Sequence, residues 1–267
     1  MKILDGKAYS EELINNYKKL TSGKSITLGI ITSEEDDSKI YLNSKIKACK
    51  QTNIKVKIFK VKSENELPPL IKKLNNDNIT GILIDNSLPN FLDIINLLSK
   101  EKDVEGLTQE NIYDLYMGRE KIVPCTAKGI IKLLKKYKIE IRGKNVVIIG
   151  RGITTGKPLM HALENRDATV TLCHSKTKNL KEIFKQADIL ISMVGKPNMI
   201  NKNMVKKGFI GIDAGINKVD GKIVGDFNFK DVSSSASYIT KVPGGVGPMT
   251  TAMLIENLIE LYNAGGK

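Results

Sequence analysis

Short apolar strands alternating with amphipathic helices predict an α/β protein built on parallel sheets. Three observations carry that reading. Runs such as ITGILID (79–85) and NVVIIG (145–150) are apolar almost without interruption, as strands buried on both faces are. Helix-period segments separate the strands, as β-α crossovers require. A glycine-rich turn follows 145–149 directly and opens a helical pattern, which is how a nucleotide-binding βαβ unit begins.

The elements follow in order. Residues 8–20 (AYSEELINNYKKL) are charged and amphipathic and predict a helix. ITLGIIT (26–32) is a β-rich run, and SKIYLNSKIKACKQT (38–52) carries helix-period apolar residues. IKVKIFKV (54–61) alternates apolar residues with Lys and predicts a strand. SENELPPLIKKLNN (63–76) predicts a helix capped by Ser63, with Glu66 three positions on in the capping-box pattern. After VPCT (123–126), Thr126 is a candidate cap for a helix over KGIIKLLKKYK. The strand at 145–149 leads through the glycine turn into a helix ending near residue 165, and ATVTLCH (168–174), ADILISMVG (187–195) and GFIGIDAGI (208–216) are further strands. TTAMLIENLIELYNAG (250–265) is the last helix, with Thr250 or Thr251 as its expected cap. The domain boundary is expected near 118–126.

Composition narrows the function classes. The chain has 267 residues, 41% of them hydrophobic and 27% charged, which suits one or two globular domains. No apolar stretch approaches the roughly 18 residues that span a bilayer, so no membrane partner is expected. MKILDGKAYSEEL at the start holds Asp5 and no apolar core, so no secretory leader is expected. Cys49, Cys125 and Cys173 are far apart and lack zinc spacing, which points to a reduced, cytoplasmic setting. His161 and His174 are the only histidines, which argues against a His-based triad and against a metal site. The net charge of +13 raises nucleic-acid binding. Yet of 42 basic residues four are Arg (Arg119, Arg142, Arg151, Arg166), the type suited to bidentate phosphate contacts, and the lysines are scattered. No nucleic-acid partner is expected.

The glycine turn reads Gly150-Arg151-Gly152-Ile153-Thr154-Thr155-Gly156-Lys157-Pro158, one residue longer than the usual dinucleotide fingerprint. Its glycines permit a tight turn and let a pyrophosphate approach backbone N–H groups at a helix N-terminus. An NAD site usually ends the next strand with Asp or Glu. This one ends Cys173-His174-Ser175-Lys176-Thr177. Arg151 and Ser175, with Lys176 as a third contact, suit a 2′-phosphate instead, so NADP is the expected cofactor. An ordinary surface turn is the alternative for 174–177.

GRGITTGKP (150–158) and ATVTLCHSKTKNL (168–180) together resemble the bifunctional methylenetetrahydrofolate dehydrogenase/methenyltetrahydrofolate cyclohydrolase family. So do SKIYLNSK (38–45), KDVEG (102–106), VPCTAKG (123–129), ADILISMVGKP (187–197), IDAGIN (212–217), GDFNF (225–229) and VPGGVGPMTTAML (242–254), in order along nearly the whole chain. The resemblance implies a cytoplasmic homodimer of two-domain chains. Residues 1–121, completed by the C-terminal helix 250–267, would carry the folate chemistry. Residues 122–249 would form a Rossmann-like NADP domain. The chain would oxidise 5,10-methylenetetrahydrofolate and hydrolyse the resulting methenyl form to 10-formyltetrahydrofolate.

The same resemblance assigns residues. Lys45 and Tyr41, four apart and so on one helix face, would serve the hydrolytic step, and Asp85 with them, either accepting a proton itself or repositioning the lysine. Tyr41, Glu105, Pro243, Gly244 and Gly245 would meet the folate. Gly150, Arg151, Gly152, Ile153, Gly156, Lys157, Pro158, His174, Ser175, Thr177 and Ile216 would meet the cofactor. Three positions depart from the family pattern. Asp85 stands where a Gln beside the lysine is usual, Glu105 where an Asp is usual, and Gly152 where a Ser is usual. A carboxylate beside an ammonium favours its charged form. The expected consequence of Asp85 is a weakened or pH-shifted cyclohydrolase, with a dehydrogenase-only enzyme as one alternative and a non-catalytic RNA-binding protein as a remote one. Cys125 is expected to be a packed residue.

Overall fold

The computed structural model describes residues 1–34 and 39–265, the side chains of residues 39–41 excepted. The chain divides into two compact units: Met1–Ser10 with Thr126–Thr250, and Glu11–Cys125 with Thr251–Lys267.

The chain opens with β1 (Lys2–Leu4) and α1 (Gly6–Leu20). Then come β2 (Thr27–Ser33), α2 (Lys39–Gln51), β3 (Lys55–Val61), α3 (Leu67–Asn75), β4 (Gly81–Ile84), α4 (Phe91–Ile95) and α5 (Gln109–Tyr116). After α6 (Cys125–Lys136) the strands and helices alternate again: β5 (Asn145–Ile149), α7 (Gly156–Glu164), β6 (Thr169–Cys173), α8 (Leu180–Gln186), β7 (Ile189–Ser192) and β8 (Phe209–Asp213). A hairpin of β9 (Asn217–Val219) and β10 (Lys222–Val224), then α9 (Phe229–Val232), β11 (Ala236–Thr240) and α10 (Val246–Ala264) complete the chain.

Three parallel strands in the order β3-β2-β4 make the first sheet. β2 is central and buried on both faces, which is why ITLGIIT lacks alternation. β3 is an edge strand whose Lys55, Lys57 and Lys60 face solvent, a charge pattern that blocks edge-to-edge pairing. Leu67, Ile71 and Leu74 fall on one face of α3 and pack with Ile31, Ile82, Ile84 and Phe91 into this sheet's core.

The second sheet has six parallel strands in the order β6-β5-β7-β8-β11-β1. Its core joins Val147, Ile149, Phe184, Leu190, Phe209 and Ile239. The chain steps from β5 to β6 on one side and then to β7 on the other. That reversal is the topological switch point, and open α/β sheets bind ligands at its C-terminal edge. No helix among the described residues is long and apolar enough to cross a membrane.

Three expected caps are not made. Thr126 lies inside α6, which begins one residue earlier at Cys125. Ser63 forms no side-chain cap; a short turn (Glu64–Glu66) precedes α3, which begins at Leu67. Pro68 and Pro69 fill the first turn of α3 and have no N–H to be satisfied there. The last helix begins at Val246, one turn before Thr250, because Pro248 is tolerated in a first turn. Thr250 Oγ1 therefore lies inside the helix, donating to the Val246 carbonyl at 3.4 Å and pairing with Thr126 Oγ1 at 3.3 Å.

Candidate active site

Lys45 lies on α2, in the crossover that follows β2. Its side chain is 3% exposed, and its Nζ donates to Glu105 Oε1 at 2.8 Å; Glu105 is 17% exposed. A charge this deeply buried is tolerated when it is paired. Glu105 sits on the loop between α4 and α5, and Asp103 builds that loop. The buried Asp103 carboxylate accepts from the N–H groups of Glu105 (3.2 Å), Gly106 (2.9 Å) and Thr108 (2.7 Å) and from Asn111 Nδ2 (2.9 Å). Burial nevertheless raises its carboxyl above the usual carboxylate range. From α10, Asn257 Nδ2 donates to the carbonyls of Val104 (2.9 Å) and Val123 (3.1 Å), which ties down the residue before Glu105.

Asp85 stands at the C-terminal end of β4. Its Oδ2 accepts from Thr32 Oγ1 at 3.3 Å, at the end of neighbouring β2, and its Oδ1 accepts from the Ser87 N–H at 3.0 Å. Lys45, Glu105 and Asp85 thus belong to one unit. Tyr41 is on α2 as well, but its side chain lies outside the described residues. Cys49, one turn beyond Lys45, is fully buried. Burial pushes its thiol up to about 12, with the Lys45 charge opposing, so it is not a nucleophile at neutral pH. Cys125 is buried too, 3.6 Å from Asn257 Nδ2.

At the switch point of the six-stranded sheet, the Gly150 N–H donates to the Cys173 carbonyl at 3.0 Å. This bond sets the glycine turn beside the turn at the end of β6. Gly150 has φ 119°, and a Cβ on Gly156 would collide with the Gly150 carbonyl oxygen, so both positions demand glycine. α7 begins at Gly156, with Pro158 buried in its first turn and Arg151, Gly152, Ile153 and Lys157 exposed beside its N-terminus. In the neighbouring turn the His174 N–H donates to Thr177 Oγ1 at 2.9 Å, and the Lys176 N–H donates to His174 Nδ1 at 3.2 Å. His174 and Thr177 close this turn, and Ser175 and Lys176 remain exposed. Backbone donors at a helix N-terminus, basic and hydroxyl side chains, and no acid at the end of β6 fit a dinucleotide with an extra phosphate.

Pro243, Gly244 and Gly245 join β11 to α10. The Gly244 carbonyl accepts from the Lys7 N–H at 2.8 Å, and a Cβ on Gly245 would lie 2.7 Å from the Lys241 oxygen. Ile216 follows β8 and is 64% exposed. Sequence reading overlooks Asp103, Asn257, Asp213 and Asp226. The signal for three of them is an Asp within the short motifs KDVEG, IDAGIN and GDFNF; Asn257 has none, being one of several polar residues in a mainly apolar helix.

A parallel sheet with a glycine cradle at its switch point, in one chain with a buried lysine–carboxylate pair on a second sheet, defines a two-domain, dinucleotide-binding class of enzyme. The model of the tetrahydrofolate dehydrogenase/cyclohydrolase catalytic domain matches residues 4–105, and that of the same family's NAD(P)-binding domain matches residues 124–265. The chain belongs to the tetrahydrofolate dehydrogenase/cyclohydrolase family. It is 46% identical to the bifunctional protein FolD of Campylobacter hominis, with 97% of this chain and 96% of the relative covered. The solved structure of the bifunctional FolD methylenetetrahydrofolate dehydrogenase/cyclohydrolase from Campylobacter jejuni matches with a TM-score of 0.96 at 40% identity, covering 99% of each chain. The Trypanosoma brucei enzyme, solved with NADP cofactor and an inhibitor, matches with a TM-score of 0.92 at 29% identity, covering 98% of this chain and 97% of that one.

Proposed function

We propose that this chain oxidises 5,10-methylenetetrahydrofolate to the 5,10-methenyl form with NADP and hydrolyses that product to 10-formyltetrahydrofolate. The observation that carries the reading is the buried Lys45 Nζ–Glu105 Oε1 pair at 2.8 Å. Lysines are almost never fully buried without a partner, and a purely structural site is served as well by apolar residues.

Gly150, Gly152 and Gly156 admit the cofactor pyrophosphate to backbone N–H groups. Arg151 and Ser175, with Lys176, receive the 2′-phosphate. Ile153, Lys157, Pro158, His174, Thr177 and Ile216 complete the cofactor contacts. The chemistry that bound NADP supplies is acceptance of a hydride from the methylene carbon. Lys45 Nζ holds and moves a proton as water adds to the methenyl carbon. Tyr41 stacks on the pterin or bonds Lys45, and Asp85 adds a carboxylate to the same site. Glu105 fixes Lys45 through Oε1 and offers Oε2 to the amino-pyrimidine edge. Pro243, Gly244 and Gly245 complete the folate contacts. The +13 charge steers both anionic ligands inward. The working form is a cytoplasmic homodimer without a nucleic-acid partner. The bifunctional relatives favour retained hydrolysis over the dehydrogenase-only and RNA-binding alternatives.

A two-step assay tests this: NADPH formation from methylenetetrahydrofolate, and loss of methenyl absorbance without cofactor. Both activities are expected, with larger thermal stabilisation by NADP than by NAD. NADP reduction without hydrolysis at any pH would replace the reading with the dehydrogenase-only one. Neither activity, with steeply salt-dependent RNA binding, would overturn it.

A further inference from the structure

Two aspartates have no part in the chemistry above: Asp213 of IDAGIN (212–217) and Asp226 of GDFNF (225–229). Each motif sets its aspartate near a glycine, and the two interlock. A Cβ on Gly215 would collide with the Asp226 carboxylate, and a Cβ on Gly225 would collide with the Asp213 carboxylate. Each glycine is the space that the other motif's carboxylate fills. Asp213 Oδ1 accepts from the N–H groups of Gly215 (3.0 Å) and Asp226 (3.1 Å), and its Oδ2 accepts from that of Phe227 (2.9 Å). Asp226 Oδ2 accepts from Ser192 Oγ (2.7 Å) and the Val194 N–H (2.9 Å). Its Oδ1 accepts from the Lys196 N–H (2.8 Å) and Asn217 Nδ2 (3.1 Å).

All seven donors are neutral, and both carboxylates are buried. Burying two like charges side by side is costly: burial, with the Asp226 charge adding to it, pushes the Asp213 carboxyl up to about 6. What the arrangement gains is a fixed geometry for three loops, 193–197, 214–217 and 225–227. Those loops leave the C-terminal ends of β7 and β8 or return to them. They are continuous with the switch point: the Met193 N–H donates to the Ile149 carbonyl at 3.0 Å, and the Ala214 N–H donates to the Ser192 carbonyl at 2.8 Å. A Cβ on Gly150 of the glycine turn would lie 2.8 Å from the Met193 side chain. The 2′-phosphate contacts lie at the end of β6, on one side of β5. A dinucleotide draped over the switch point therefore lays its other end over β7 and β8.

We propose that Asp226 is a positioning residue for hydride transfer: it ties loop 193–197 to loop 214–217 and so fixes the wall that holds the nicotinamide end of NADP. The proposal rests on the NADP reading given above. Asp226 touches no reacting atom and acts through the backbone of Val194 and Lys196.

The test is Asp226→Asn in the full chain. Each carboxylate oxygen accepts from a backbone N–H, so an Asn in either orientation sets its NH₂ against one obligate donor, the N–H of Val194 or that of Lys196. KM for NADP is expected to rise about tenfold, with a fall in kcat for NADPH formation. Cofactor-independent methenyl hydrolysis stays within about twofold of wild type. Amide exchange at Val194 and Lys196 in the cofactor-free protein speeds up about tenfold or more. Ser192→Ala removes one donor and gives a smaller change in the same direction; it decides the matter if Asp226→Asn does not fold. Unchanged KM and unchanged exchange overturn the proposal, and so does an equal fall in both activities, which is a general loss of fold. A wild-type protein that does not reduce NADP refutes the functional reading itself. Variants that match an active wild type refute this proposal alone.

Discussion

Glu105→Gln leaves the shape of the site nearly unchanged and removes the carboxylate charge that Lys45 bonds. The Lys45 ammonium is 3% exposed and gives Glu105 Oε1 a bond of 2.8 Å. Breaking a fully buried pair from one side costs about 3–5 kcal/mol, because the remaining charge is uncompensated. Glu105 is 17% exposed, so water reaches part of the site. The expected loss is about 2–3 kcal/mol. For a chain of this size that lowers Tm by roughly 4–10 °C. The double variant Lys45→Met/Glu105→Gln removes both charges of the pair and recovers most of the lost stability. Thermal melts of wild type, Glu105→Gln, Lys45→Met and the double variant form a double-mutant cycle. Loss of methenyl absorbance is followed on the same four proteins. All three variants lose hydrolysis, but stability recovers only in the double variant. A Glu105→Gln melt that coincides with wild type, or a double variant no more stable than Glu105→Gln, would show that the pair does not hold the buried Lys45 charge in place.

Gly156→Ala drives a Cβ into the Gly150 carbonyl. It abolishes stabilisation by NADP in a thermal-shift titration and spares methenyl hydrolysis. The Asp213 carboxyl is raised from 3.8 to about 6, so the folded state binds this proton more tightly than the unfolded one. The stability Asp213 lends in acid is therefore lost as pH rises from about 4 to about 6, a swing of about 3 kcal/mol. Urea denaturation across that range has a correspondingly flatter pH dependence in Asp213→Asn than in wild type. Cys49, fully buried and raised to about 12, resists a thiol reagent at pH 8 in the native protein and reacts once urea unfolds it. Asp85→Gln alters the pH profile of methenyl hydrolysis; identical rates to wild type at every pH would show that Asp85 has no influence on Lys45.

Much of the fold is legible in the sequence because buried parallel strands are written as apolar runs. β2, β4 and β5 are of this kind, and the glycine turn announces the crossover after β5. β1 is three residues long and pairs with β11, from the far end of the chain, so no local pattern marks it. The Ser63 and Thr250 caps fail because proline in a first turn removes the need for one. At the site, types and motifs name Lys45 and Glu105, but not that the two bond each other; that contact spans 60 positions and depends on the loop Asp103 builds. Asp213 and Asp226 read as two aspartates beside glycines. Their interlock exists only once β7, β8 and the hairpin are brought together, which spacing along a chain cannot express.

One chain is proposed to carry two separable chemistries, with Lys45 serving one of them. Lys45→Met, assayed for NADPH formation and, independently, for loss of methenyl absorbance, tests it most directly. Hydrolysis is expected to fall by at least roughly a hundredfold, the scale of a lost acid–base group, while NADP reduction persists. Hydrolysis at the wild-type rate, or loss of both activities in a protein that still folds and binds NADP, would contradict it.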